Sequence, residues 1–291
     1  MGTSTLERAV AKAKRTAVIA WDRGRPTFGV RVGPRRLAVQ ASRDTAWLLS
    51  WRPDWKTWLV DRLLQHRPGL FIDVGANIGQ TLLDYAASKH RHGYVGFEPD
   101  AVCVDQIRRV IAANGLDDCA VVPAALSDED APLELRVGGA ADPGASLILD
   151  LRPAEENRRN IVIAAYCYDS IAEKVQGGRA PGVIKIDVEG AEANVVEGMA
   201  ETLRRWKPLV FCEVLNRDPH ADAAAHERRG RALYARLDEL GYDVFRLNKG
   251  ADLSIVTGLS PVERFPTDPY SEACRDACDY LFAPRGSALP L

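Results

Sequence analysis

From about Leu70 onward, short apolar runs alternate with stretches of helical periodicity, and few architectures satisfy that alternation. Runs at Leu70–Val74, Tyr94–Phe97, 120–124, 183–187 and Leu209–Glu213 read as strands, and helical patterns start at Gln80, Ala101, Ala191 and Ala223. Near-continuous apolar strands suit a parallel sheet covered on both faces. The chain is therefore predicted to be α/β, with a mostly parallel sheet closed by an antiparallel C-terminal pair at 242–247 and 279–283. Two inserted segments, 132–137 and 161–171, interrupt the alternation, and the small-residue stretch GGAADPGAS between them reads as a mobile flap.

The first strand runs into FIDVGANIGQT, where an aspartate is followed by a turn poor in side chains. Such a turn lets a ligand approach the main chain, and the helix behind it offers unpaired amides. Gly75 and Gly79 bracket Ala76, Asn77 and Ile78, a GxxxG spacing and neither the dinucleotide fingerprint GxGxxG nor a P-loop. Asp73 discriminates further, because a carboxylate repels a pyrophosphate and suits a cationic ligand. The next strand ends in GFEPD, and Glu98 holds the position expected of an acid that binds ribose hydroxyls. Acid, glycine turn and second acid together point to an adenosine cofactor with a sulfonium, S-adenosylmethionine.

A third constellation is VIKIDVEGAEANVVEG, in which Lys185, Asp187 and Glu189 alternate with apolar residues and Glu192 follows on a helix. Glu213 ends the following strand. So many carboxylates at one sheet edge need a ligand, a metal or Lys185 to balance them. Asp187, Glu189 and His220, in NRDPHAD, are the candidate proton acceptors. A divalent metal such as Mg²⁺ held by the acids is a further option, although no specific motif calls for it.

The segments FIDVGANIGQT, GFEPD, AALSDED and VIKIDVEGAEANVVEGM together resemble the FkbM family of S-adenosylmethionine-dependent methyltransferases, over about residues 68–215. That resemblance implies the class I methyltransferase fold, Rossmann-like, with a seven-stranded sheet whose last strand is antiparallel. It also implies O-methylation of a hydroxyl on a sugar, glycan or natural product. By position it assigns Asp73, Gly75, Asn77 and Gly79 to the cofactor loop, Glu98 to the ribose, and Asp187 with Glu189 to the floor beside the methyl donor. Ser146, in DPGASL, resembles a serine-bearing loop over the cofactor pocket. Tyr168 in YCYDSI departs from the leucine expected there.

Residues 1–65 read as an N-terminal helical extension or cap and 66–291 as the methyltransferase domain. Trp47, Trp51, Trp55 and Trp58 recur at helix-like spacing and predict two short packed helices in that extension. A formal net charge of -2 gives no reason to expect nucleic-acid binding, and no apolar run is long enough for export or a membrane span. The six cysteines show no CxxC spacing, as expected of reduced thiols in a cytoplasmic protein. Two other functions share these features. A NAD-dependent oxidoreductase should carry GxGxxG; a non-catalytic cofactor-binding or scaffold domain would keep the core motifs and lack an acceptor pocket.

Overall fold

The computed structural model describes residues 27–42, 44–46, 48, 54–148, 151 and 158–290. Its central sheet has eight strands, arranged so that five parallel ones meet three antiparallel ones. The parallel set is β3 (Leu70–Val74), β4 (Tyr94–Phe97), β5 (Cys119–Val122), β9 (Pro181–Ile186) and β10 (Leu209–Glu213), lying in the spatial order β10-β9-β3-β4-β5. Beyond β10 lie β13 (Asp279–Pro284), β11 (Tyr242–Lys249) and β12 (Val256–Pro261), each antiparallel to its neighbour. The expected seven strands are thus eight. The extra one, β12, carries Gly258 and Pro261 and reads as loop in the sequence.

The strands of the parallel centre are buried along their whole length, which is why they appear as unbroken apolar runs. Helices α2 (Gln80–Ala87), α3 (Ala101–Ala113) and α7 (Ala223–Glu239) begin at the residues expected. Asp100 and Asp222 cap the latter two by accepting from the amides of Val102 and Ala224. A separate three-stranded sheet joins β6 (Ala125–Ser127), β8 (Arg159–Cys167) and β7 (Ala131–Val137), with β8 in the middle. Here the expected element over 161–171 divides: β8 ends at Cys167, and helix α4 (Tyr168–Gln176) starts at Tyr168.

The N-terminal extension differs from the helical one expected. Its described part opens with a hairpin, β1 (Thr27–Val32) and β2 (Arg35–Gln40), before helix α1 (Trp55–His66). Trp55 and Trp58 lie on α1, whereas Trp47 and Trp51 fall outside the described residues. Val30, Val32, Leu37 and Val39 of the hairpin share one apolar cluster with Leu59 and Leu63 of α1 and Phe71 of β3. The side chain of Asn114, at the end of α3, accepts from the amide of Ala38 at 2.7 Å and donates to its carbonyl at 2.8 Å, acting as a strand neighbour for β2.

Candidate active site

A cavity of about 420 Å³ opens along the carboxyl ends of β10, β9, β3 and β4. These four strands are consecutive in the sheet, so Glu213, Asp187, Gly75 and Glu98 follow one another along its edge. Three strand spacings of about 4.8 Å set the two ends of that row about 14 Å apart, enough for an extended nucleoside and its substituent.

At the β3 end the main chain turns where no side chain would fit. A Cβ on Gly75, whose φ is +79°, would stand 1.9 Å from the carbonyl oxygen of Asp187. Asn77 also adopts a positive φ, 46°. Its amide donates to Oε2 of Glu98 at 2.8 Å, and the amide of Asp100 donates to Oε1 at 2.8 Å. Glu98 is thereby held by both oxygens while lining the cavity. Burial pushes its carboxyl up to about 7, and the two amides oppose that rise.

Behind this wall lies a buried charge relay. Asp73 is fully buried, accepts from the Tyr94 hydroxyl at 2.6 Å, and faces the Lys185 ammonium at 3.2 Å. Lys185 also donates to the Gly75 carbonyl at 2.7 Å and lies 3.4 Å from Asp187 Oδ2. Burial would raise Asp187, but Lys185 and then Lys56 outweigh it and hold the carboxyl below its usual range. Glu213 moves the other way. Burial and the neighbouring Asp187 charge raise it, so that it donates a hydrogen bond to Asp187. From α1, Lys56 enters the same cavity beside its N-cap Asp54. Burial alone would lower Lys56, yet Asp187, Asp279, Glu213 and Asp54 together keep its ammonium above the ordinary lysine range. On α2, Asp84 accepts from Thr57 Oγ1 at 2.5 Å, and burial pushes it up to about 8.

The segment 138–146 forms a strap over the cavity, with Asp142, Pro143 and Ala145 in its wall. It is tied at several points: the Ala141 amide donates to Asp100 Oδ2 at 2.8 Å, and Ser146 Oγ donates to the Glu189 carbonyl at 2.6 Å. Asp142 accepts from the Gly138 and Gly144 amides at 2.7 and 2.9 Å.

Residues 73–244, more than half of the chain, match the Methyltransferase FkbM domain. The chain belongs to the FkbM methyltransferase family. Among solved structures it is similar to methyltransferase FkbM from Methylobacillus flagellatus KT, with 17% identity and a TM-score of 0.42, covering 74% of this chain and 43% of that one. The chain thus spans less than half of that protein's length. A spermidine synthase from Thermotoga maritima shows 12% identity and a TM-score of 0.38 over 91% of this chain and 73% of that one. A SAM-dependent methyltransferase from Agrobacterium tumefaciens shows 9% identity and a TM-score of 0.35 over 89% and 70% of the two chains. No curated protein sequence matches the chain.

Set against the FkbM expectations, Gly75, Asn77, Glu98, Asp187 and Glu189 all line the cavity. Three others stand outside its lining. Asp73 acts from behind through Lys185, Gly79 starts α2 with a φ of +92°, and Ser146 latches the strap. His220 sits exposed on the turn after β10, its amide bound to Asp218, and is not in the cavity wall. Lys56 and Asp84 were not anticipated from sequence. Lys56 looks like a solvent lysine on an amphipathic helix, whereas an acid inside the apolar run of QTLLDYAA was a readable signal for Asp84. Among the described residues no group of three or more His, Cys, Asp or Glu side chains is arranged to hold a metal ion, and no helix is long and apolar enough to cross a membrane.

S-adenosylmethionine, the cofactor of such methyltransferases, fits this lining. Glu98 would take its ribose hydroxyls, and the apolar strip of Leu126, Leu135, Pro143 and Leu147 suits a planar base. The main chain at Gly75 and Ala76 leaves room for the aminoacyl end beside the acids of β9 and β10.

Proposed function

We propose that this chain is an S-adenosylmethionine-dependent O-methyltransferase acting on a hydroxyl of a small-molecule or glycan acceptor. The observation that carries this reading is the sharing of one cavity by Glu98, anchored as a diol-binding acid, and by the Asp187–Glu213 carboxyl pair with Lys56. The cofactor supplies an electrophilic methyl carbon. The chain's own residues do the rest: Glu98 and the Gly75 turn fix the nucleoside, the strap keeps water from the cavity, and the acid pair receives the acceptor's proton. Cavity acids and an ammonium suit a neutral hydroxylated acceptor better than a polyanion, which favours a small molecule over a nucleic acid.

Titration calorimetry with S-adenosylmethionine, S-adenosylhomocysteine and NAD⁺ tests the reading. Binding of the first two and none of the third is expected; tighter NAD⁺ binding would reverse it. A protein that binds S-adenosylhomocysteine but transfers no methyl group to any member of a broad panel of alcohols and glycosides would instead fit a cofactor-binding scaffold.

A further inference from the structure

Two lysines reach the acidic end of the cavity, and they differ in one respect. Lys185 is saturated by Gly75, Asp73 and Asp187. The ammonium of Lys56 forms no hydrogen bond or ion pair with any described residue and lies over the Trp55 ring, 5.5 Å from its centroid. Lys249, 4.4 Å from the centroid of the same ring, is engaged by Asp279 at 2.5 Å, so Asp279 already has its own cation. Lys56 is thus a cation in a cavity wall with donors left over, facing Asp187 and Glu213, which are hydrogen-bonded to each other. An ammonium with spare donors beside a carboxylate with spare lone pairs has the complementarity of one particular group, a hydroxyl, which accepts from the first and donates to the second.

We infer that Lys56 binds the acceptor oxygen and that Asp187, supported by Glu213, takes that hydroxyl's proton, so that a helix outside the matched family domain completes the active site. The inference rests on the methyltransferase reading and deepens it. In the step, the acceptor oxygen bonds to the methyl carbon as the carbon–sulfur bond breaks and its electron pair stays on sulfur, while the O–H proton passes to the Asp187 carboxylate. Lys56 offsets the negative charge that grows on the oxygen as its proton leaves. The same cation disfavours an amine acceptor, which is positive before it reacts.

Sinefungin reads this arrangement without an identified acceptor, because it carries an ammonium on the carbon that replaces the methylated sulfur. The ratio of its affinity to that of S-adenosylhomocysteine reports the charge around the acceptor position. Lys56→Met should raise the ratio roughly tenfold and Asp187→Asn should lower it by a similar factor, at effective dielectric constants usual near protein surfaces. Lys56→Arg, which keeps the charge, should leave it near the wild-type value. On the wild type alone the ratio should climb from about pH 6 to about pH 9, as Glu98 and then Glu213 lose their protons among Asp54, Asp84, Asp187, Asp279, Lys56, Lys185 and Lys249. Lys56→Gln, a smaller change that also removes the charge, carries the comparison if Lys56→Met does not fold. A ratio that neither variant nor pH moves overturns the inference while leaving the cofactor reading intact. A wild-type protein that binds neither compound overturns both.

Discussion

The Lys185 ammonium stands 3.2 Å from Oδ1 of the fully buried Asp73, and with that contact it ties the end of β3 to the end of β9. Removing one partner leaves a buried charge without its counter-ion. Asp73→Asn or Lys185→Met should therefore cost about 3–5 kcal/mol in urea denaturation. The double variant should cost less than the sum of the two, since neither charge is then stranded.

Glu98→Ala should weaken S-adenosylhomocysteine binding by about 1.5–3 kcal/mol, through lost charge-assisted hydrogen bonds. Because Glu98 also anchors the amides of Asn77 and Asp100, that variant should speed amide exchange at 77 and 100 as well. Calorimetry and hydrogen exchange on the same sample check both outcomes; unchanged affinity would remove Glu98 from the site.

Gly75→Ala places a methyl group 1.9 Å from a carbonyl oxygen at a positive φ, whereas Gly177→Ala meets nothing within 4 Å at a φ of +55°. The second substitution should cost about 1 kcal/mol of backbone strain alone. The first should cost at least twice as much and abolish cofactor binding, since the turn must move away from Asp187. Melting temperatures of the two variants make the comparison.

Asp84 gives the pH dependence a clear sign. Burial raises its carboxyl from the ordinary 3.8 to about 8, so the folded protein holds a proton that the unfolded chain releases. Its contribution to stability is full below about pH 4 and is lost as the pH climbs through about 8. Asp84→Asn, which cannot titrate, should flatten that decline, as denaturation at pH 5 and pH 8.5 would show.

Ser146→Ala removes the donor that fastens the strap to the Glu189 carbonyl. Amides of 138–146 should exchange faster in the variant, and S-adenosylhomocysteine should slow them in both proteins. No difference between variant and wild type would mean that Asp100 and Asp142 hold the strap unaided.

Legibility in the sequence followed burial. β3, β4 and β10 were readable to the residue because each is buried on both faces and is followed closely by an acid or a turn. The hairpin TFGVRV and RRLAVQ was not, since only Val30, Val32, Leu37 and Val39 are buried and the positions between them hold arginine, glycine, alanine and other residues without a clear pattern. β12 was hidden by glycine and proline at an edge that tolerates both. Of the site, Gly75, Asn77, Glu98, Asp187 and Glu189 were visible because local chain geometry places them. Lys56 was not, because its surroundings come from β9, β10 and β13, all more than a hundred residues further along the chain.

The matched stretch 73–244 begins inside β3 and stops inside β11, and β13, which pairs with both β10 and β11, lies wholly beyond it. A polypeptide trimmed to those limits would present the bare flank of β10 where β13 belongs, and would lose α1 from over α2. The segment by which kinship is recognised is therefore smaller than the segment that can fold, and trimming experiments on this protein should keep everything from the hairpin to the last strand.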